Sequence, residues 1–430
     1  MPHVATLIDA LTSTRAQPAL QALYGNDPHA LHVQRQRMGA LLQRAAATYP
    51  GRVDWQIYSS PGRTEVGGNH TDHNAGRVLA AAVDLDVIAA VTPNDSGIIT
   101  IHSEGYPPSV IDTAQLAPAS EERFTSAALV RGVAGRLQEL GYRVGGFDAC
   151  VASNVPTGSG LSSSAAFEVL VATILNHLYN EGRIDTITVA RAAQYAENNY
   201  FGKPCGLMDQ TTCAVGGFVT IDFRDFERPV VRKVTFDFGA SGLAAVIVDT
   251  GGSHADLNDD YTALEHEMKS VARALGGRVL REFSKDAVLA NLPALRKQVN
   301  DRAILRALHF YDDDQRVVEQ AAALEANDLA RFLNLIIASG NSSWMLCQNC
   351  YSCKDIEHQG ISVALARSEE MLRGHGAWRV HGGGFAGTIQ AFVPKERLAA
   401  YVEAMEHVFG PGTCHQLAIR SAGATPVVLA

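Results

Sequence analysis

Residues 154–166 run Asn154-Val155-Pro156-Thr157-Gly158-Ser159-Gly160-Leu161-Ser162-Ser163-Ser164-Ala165-Ala166. Small residues let a backbone close on an anion, and serine hydroxyls add donors. The apolar run that follows predicts a helix whose unpaired N–H groups and positive dipole end face the loop. The segment is a candidate phosphate cradle. No Gly-Lys-Ser/Thr follows the glycines, so a nucleotide held here is held mainly by backbone amides and a helix terminus. A flexible turn with a serine cap is the competing reading.

Three further segments carry candidate chemistry. Pro61-Gly62-Arg63 precedes Gly67-Gly68-Asn69-His70-Thr71-Asp72-His73-Asn74. Short polar side chains at this density can hydrogen-bond the several hydroxyls of a sugar, and Arg63 can hold charge on a transferring phosphoryl group. The spacing of His70 and Asp72 also suits two ligands of a His-carboxylate iron site, and a plain surface turn is the third option. In Pro204-Cys205-Gly206-Leu207-Met208-Asp209-Gln210-Thr211, a carboxylate stands in an apolar, glycine-led setting. Asp209 there can accept a hydroxyl proton in phosphoryl transfer, or simply cap a helix. His381-Gly382-Gly383-Gly384-Phe385-Ala386-Gly387 has four glycines in six positions, which implies special backbone angles or close approach of two strands. Cys347, Cys350 and Cys353 form a CxxCxxC run with no fourth cysteine near. Their spacing of three places them on one face of a helix, where packing is favoured over metal binding.

The elements that must position these residues follow from periodicity. The first fifty residues repeat apolar positions at helical spacing (Leu7, Leu11, Leu20, Leu23, Met38, Leu41, Leu42) without a chemical signature. From 53 to 59 the pattern is extended, and Pro61-Gly62 opens a loop expected to run to Gly76. Val78 to Val91 and Gly97 to His102 are expected strands about a Pro93-Asn94-Asp95 turn, and Thr125 to Leu140 an amphipathic helix. Phe147 to Ala152, the glycine loop and Ser163 to Tyr179 then form strand, loop, helix. A helix over 187–200 and strands over 215–223 lead to a polar boundary at Arg224 to Lys233. Beyond it come a strand at 243–249, helices to His375, a strand-turn-strand at 378–393, and edge-strand candidates at 417–419 and 427–429.

A chain of 430 residues is longer than one hydrophobic core usually covers, which predicts two domains, 1–233 and 234–430. With 47% hydrophobic and 19% charged residues it is an ordinary globular chain, neither disordered nor coiled-coil. A net charge of -9 argues against a broad grip on nucleic acid or anionic lipid. The segment 78–91 is broken by Asp84 and Asp86 and is too short to span about 30 Å of hydrocarbon, so no membrane partner is expected. No signal peptide is apparent at the start. Seven scattered cysteines make a poor disulfide framework, which predicts a cytoplasmic protein.

Taken together and in this order, the four motifs resemble the galactokinase branch of the GHMP small-molecule kinases across most of the chain after residue 55. Residues 61–76 are similar to that family's sugar signature, 154–168 to its ATP loop, 205–210 to its Cys-Gly-x-Met-Asp-Gln, and 382–387 to its third glycine motif. The resemblance implies an α+β, two-domain GHMP kinase fold. It comprises an N-terminal ribosomal-protein-S5-like α/β domain with a helical extension, and a C-terminal ferredoxin-like α+β domain closing the cleft. It implies transfer of the γ-phosphoryl group of ATP to the anomeric hydroxyl of galactose, by a monomer, with Mg2+.

Carried over by position, Asp209 and Arg63 are the catalytic pair, and Asn69, His70, Asp72 and Tyr261 contact the sugar. Pro156, Gly158, Ser159, Gly160, Leu161, Ser162, Ser163 and Ser164 hold ATP, and Ser164 and Glu197 hold the magnesium. An ion-paired carboxylate is in general a weak base, which leaves Asp209 chiefly to orient the hydroxyl while Arg63 holds developing charge. Departures stand at Asn69, where the family has glutamate, at His73 for tyrosine, at Glu65-Val66-Gly67-Gly68 for Asn-Leu-Ile-Gly, and at Ala386 for glycine. A neutral amide at 69 opens the site to a C6-altered sugar such as galacturonate, or to N-acetylgalactosamine. A non-catalytic sugar- and ATP-responsive regulator is the rival from another class, disfavoured because Asp209 and the nucleotide loop are intact.

Overall fold

The computed structural model describes residues 3–156, 158–252 and 257–429; Thr157 of the glycine loop lies outside them. The chain begins with three helices, α1 (Val4–Thr12), α2 (Gln17–Tyr24) and α3 (Pro28–Thr48). Their apolar faces pack Leu11, Leu20, Leu42 and Ala45 against Ile57, Ile88, Ala90 and Cys150. The extension thus covers one face of the first sheet.

That sheet has eight strands: β1 (Gln56–Gly67), β2 (Arg77–Pro93), β3 (Ile98–Ser103), β4 (Ser109–Asp112), β5 (Phe147–Ser153), β6 (Phe218–Asp222), β7 (Val230–Val234) and, from the far end of the chain, β12 (Thr425–Pro426). The order is β12-β1-β2-β5-β3-β4. The first half of β2 turns aside to pair β6, which pairs β7. All pairs are antiparallel except β3 with β5. The opposite face carries α4 (Ser126–Glu139), α5 (Ser163–Tyr179), α6 (Thr186–Ala196) and α7 (Met208–Val215). Helix α5 is buried along most of its length, as its run of Val169, Leu170, Val171, Ile174 and Leu175 demands.

The second sheet has order β11-β8-β10-β9, with β8 (Leu243–Asp249), β9 (Ala377–Val380), β10 (Thr388–Pro394) and β11 (Cys414–Leu417), all antiparallel. Around it lie α8 (Asn258–Ala274), the short α9 (Lys285–Ala290) and α10 (Leu292–Leu295), the long α11 (Asp301–Glu325), α12 (Leu329–Ser342), α13 (Gly360–Leu372) and α14 (Leu398–Phe409). Phe238, Phe332 and Phe392 stack edge to face and join the core of the first sheet to the second.

The structure corrects three expectations. Residues 61–67 are strand, not loop: β1 continues through Pro61-Gly62 because register shifts at 61/63 and 65/67 absorb the proline and glycine as bulges. The helix expected under the cysteines ends in a π-helical turn at Cys347, so the three thiols do not share a face. Cys347 and Cys350 are buried in separate cores and Cys353 is exposed. The last residues do not stay with the second sheet. Residues 427–429 lie outside any strand, and Thr425 and Pro426 pair with Ser59 and Tyr58 of β1.

Candidate active site

The four motifs, up to some 320 residues apart in sequence, meet between the two sheets. Arg63 projects from β1 and forks onto Asp209 in the first turn of α7, with Nε donating to Oδ1 at 2.7 Å and Nη2 to Oδ2 at 2.5 Å. Two parallel charge-assisted bonds fix both side chains in one plane. The remaining Arg63 donor, Nη1, reaches Gly160 O, and the Arg63 backbone N–H donates to Leu161 O at 3.1 Å. A Cβ on neighbouring Gly62 would lie 2.9 Å from that same Leu161 oxygen, so only glycine lets the strand lie so close to the loop.

The loop is held in an unusual shape. Gly158 and Gly160 have φ of 79° and 73°, and Ser162, immediately before α5, has φ 57°. A non-glycine residue in the left-handed region is costly unless its surroundings hold it there. Ser162 is held: its hydroxyl donates to Asp209 Oδ2. Asp209 therefore stands at the centre of the Arg63 fork and the Ser162 hydroxyl, at the N-terminal end of α5.

Ser164, in the first turn of α5, donates to Glu197 Oε1 at 3.2 Å. Glu197 lies in the π-helical turn Glu197–Phe201 that extends α6, and such turns recur at functional sites. Lys203 Nζ stands 3.6 Å from the same oxygen, and Gln210 Nε2 bridges Glu197 Oε2 (2.9 Å) and Glu168 Oε2 (3.2 Å). Burial and the charge of Glu197 push the Glu168 carboxyl well above its ordinary range, and its Oε1 has no hydrogen-bond partner among the described residues. A hydroxyl beside a carboxylate is a donor set suited to Mg2+, a hard cation that takes few protein ligands and fills the rest with water and phosphate oxygens. The residues present therefore fit the ion. Among the described residues no group of three or more His, Cys, Asp or Glu side chains is placed to hold a metal by itself.

The fourth motif closes the other side. His70 hydrogen-bonds Gly383 O through Nε2 at 2.9 Å, and Tyr261 donates its hydroxyl to Gly384 O at 2.9 Å. His381 is gripped by Thr64 (3.0 Å) and Thr388 (2.9 Å); burial and the guanidiniums of Arg63 and Arg379 push its imidazole well below its usual range. Asp72 comes up against Gly206, where a Cβ would lie 2.8 Å from Oδ2.

Asn69 departs from its expected place against the sugar. Its side chain is 0% exposed, with every donor and acceptor used. Nδ2 donates to Glu65 Oε1 (3.0 Å) and Gly382 O (2.8 Å), while Oδ1 accepts from Ser343 (3.2 Å) and Asn349 (2.9 Å). Turned into the protein, it ties four segments together and has no surface to offer a ligand. The carboxylate in this corner is Glu65, paired with the buried Arg379 at 2.7 Å.

Sequence reasoning missed Glu65, Arg379, Glu168 and Lys203, and it missed a second feature altogether. Beside Ser163 and Ser164 lies a cavity of about 770 Å3 walled by Tyr106, Pro107, Pro108, Phe124, Phe167 and Phe201. The one sequence signal for it was the aromatic-proline run at 106–108.

With this geometry in view, comparison with known proteins gives a consistent result. A galactokinase galactose-binding signature matches residues 46–93, and a GHMP kinases N terminal domain matches residues 128–217. A galactokinase of Streptomyces coelicolor is 34% identical over 360 residues, covering 82% of this chain and 88% of its own. The chain belongs to the galactokinase family. The crystal structure of Lactococcus lactis galactokinase complexed with galactose superposes with a TM-score of 0.77 at 22% identity, over 90% of this chain and 99% of that one. Mevalonate kinase of Methanococcus jannaschii superposes at 0.60 and 14%, over 86% and 99%. At these identities the likeness establishes the fold, that of the GHMP kinases. As a galactokinase-family chain it carries the sugar signature on β1 and the loop after it, and the nucleotide loop at the head of α5. Among the described residues, no helix is long and apolar enough to cross a membrane.

Proposed function

We propose that the protein transfers the γ-phosphoryl group of ATP to the anomeric hydroxyl of galactose, giving galactose 1-phosphate and ADP. The observation that carries this reading is the Arg63–Asp209 fork, set at the N-terminal end of α5 between the sugar signature and the glycine loop. Asp209 accepts the hydrogen bond of the sugar hydroxyl and aims its oxygen at the γ-phosphorus. The new O–P bond forms as the bond to the β-phosphate oxygen breaks, and the hydroxyl proton leaves by way of Asp209. Arg63, fixed by three acceptors, holds a positive charge where the transferring group becomes most negative.

ATP lies with its phosphates on the loop 158–164 and the end of α5, which supply amides and hydroxyls. Ser164 and Glu197 hold Mg2+, which supplies charge neutralisation to the phosphate oxygens. His70, Asp72 and Tyr261 border the sugar. All the residues named come from one chain, so a monomer suffices, and residues 1–233 and 234–430, apart from the tail at 425–429 that returns to the first sheet, are the two domains between which the substrates meet. Seven free thiols suit the cytoplasm.

A phosphorylation screen with ATP against galactose, N-acetylgalactosamine, galacturonate, glucose and arabinose tests the reading. Galactose is expected to be the best acceptor. The inward turn of Asn69, with Glu65 paired to Arg379 in that corner, is the reason to include the C6-altered sugars in the screen. Failure to phosphorylate any galacto-configured sugar would refute the kinase assignment.

A further inference from the structure

We propose that Gln210 is a positioning residue for the metal: its side-chain amide pins Glu197 from behind, so that a single carboxylate oxygen is presented to the ion beside Ser164. The inference rests on the magnesium reading above and adds to it a residue that does not itself touch the ion. Gln210 follows Asp209 in the first turn of α7 and is fully buried, with Glu197 and Glu168 buried beside it. The two oxygens of Glu197 have different partners. Oε1 lies 3.2 Å from the Ser164 hydroxyl and 3.6 Å from Lys203 Nζ, whereas Oε2 accepts from Gln210 Nε2 at 2.9 Å.

A side-chain amide nitrogen carries two hydrogens, and here it has two carboxylates within reach. Besides Glu197, Nε2 donates to Glu168 Oε2 at 3.2 Å, with Cys205 Sγ at 3.5 Å from the same nitrogen. Glu168 stands one helical turn beyond Ser164 on α5. One amide therefore fixes the helix that carries Ser164 and the turn that carries Glu197 relative to each other. The amide's own segment is anchored to that turn. Asn198 Oδ1 accepts from Cys205 N at 2.6 Å, Asn198 Nδ2 donates to Cys205 O at 3.3 Å, and Gln194 Nε2 donates to the same oxygen at 3.1 Å.

Packing alone does not account for a glutamine here. Its Oε1 and the Oε1 of Glu168 are buried without a hydrogen-bond partner among the described residues, and an unpaired buried acceptor is costly. For stability, apolar residues of similar volume serve as well as a buried polar cluster or better. What the amide supplies, and an apolar side chain does not, is direction. Mg2+ demands near-octahedral geometry, and the groups that orient its ligands govern how tightly it is held. A neutral donor also leaves the charge of Glu197 to the metal, where a lysine or arginine in its place would oppose the ion.

The test uses the full chain saturated with ADP, Mn2+ as a paramagnetic probe whose free fraction is read by electron paramagnetic resonance, and two variants. Gln210→Met keeps the length and removes the donor. Glu168→Gln combined with Gln210→Met also removes the second carboxylate, so that no unpaired charge at 168 threatens the fold. Both should bind Mn2+ about tenfold or more weakly than the parent. The Mg2+ concentration for half-maximal turnover should rise by a like factor, and excess Mg2+ should restore most of the turnover. Binding of galactose, and of ADP in the presence of EDTA, should match the parent's, a pattern that a merely structural residue would not give. The proposal is overturned if either folded variant binds Mn2+ as the parent does, or if galactose and metal-free ADP weaken as much as Mn2+. Failure of both variants to fold would mark Gln210 as structural and overturn it too. A parent chain that binds no Mn2+ with ADP refutes the magnesium reading and this role with it. A parent that binds Mn2+ but phosphorylates no sugar refutes the kinase assignment, while the positioning role stands on the metal data.

Discussion

Asn69 and Glu65 lie four residues apart and share one hydrogen bond, and between them they settle where a negative charge sits in the sugar corner. Asn69→Glu would place a second carboxylate about 3 Å from the first, inside a fully buried network. An unpaired buried charge costs about 3–5 kcal/mol. The variant should therefore melt well below the parent, while the exchange Glu65→Asn with Asn69→Glu should recover most of the loss. Equal melting temperatures for the single and double variants would show that the two positions are not coupled. The proposed catalytic pair, Asp209 and Arg63, predicts a different signature. Asp209→Asn and Arg63→Ala should each lower turnover by about a hundredfold or more with the fold intact by circular dichroism. Near-parental turnover from either variant would remove that residue from the mechanism. The sequence motifs named both members of the pair, but the Ser162 hydroxyl bond to Asp209 was not legible. It depends on a left-handed backbone that a run of three serines does not announce.

Strand β2 gives the clearest case of an element that couples distant parts. Its Asp86 is fully buried, yet it accepts from Tyr24 of α2 at 2.7 Å, pairs with Arg37 of α3, and pairs with Arg420 near the chain end at 3.1 Å. Burial alone would raise its carboxyl, but the two guanidiniums and the Ser59 hydroxyl outweigh it and hold the group below the usual aspartate range. A carboxyl depressed on folding contributes stability above its unfolded value of about 3.9, and that contribution is lost as pH falls through the folded value. Urea midpoints of the parent should thus drop as pH goes below about 4. Asp86→Asn should start about 3–5 kcal/mol lower at neutral pH, with the buried Arg420 and the half-buried Arg37 deprived of their carboxylate, and should lack that part of the acid loss. Parallel acid limbs for the two proteins would exclude Asp86 as a contributor. In sequence, Asp84 and Asp86 served only to break an apolar run. The partners that make Asp86 tolerable come from helices and a tail that no local pattern joins to β2.

At the scale of the molecule, the last residues cross back from the second sheet to the edge of the first. Val427 donates its backbone N–H to Ile57 O at 2.7 Å, and Val427 and Leu429 complete the core beneath the N-terminal helices. Deleting residues 424–430 should therefore loosen the N-terminal region rather than the nearer second sheet, seen as early proteolysis within 1–50. Protection of that region in the truncated chain would contradict the coupling. The cleft is stiffened by a buried polar seam, Thr64 to His381 and Gln390, and Glu65 to Arg379, which joins β1 directly to the second sheet. Local sequence alone determined the glycine loop and its helix and the long strand 77–93, because these follow from residue type, spacing and periodicity, whereas the sugar signature and the pairing of Arg63 with Asp209 were implied by the family resemblance of the motifs. Only the tertiary structure decided that Pro61-Gly62 runs within a bulged strand and that Asn69 faces inward. It also decided that Glu65 carries the charge, that an apolar recess opens beside Ser163, and that the tail closes the first core. Each of these depends on partners tens to hundreds of residues away. Burial and hydrogen-bond satisfaction are properties of the packed chain, and no local window of residues contains them.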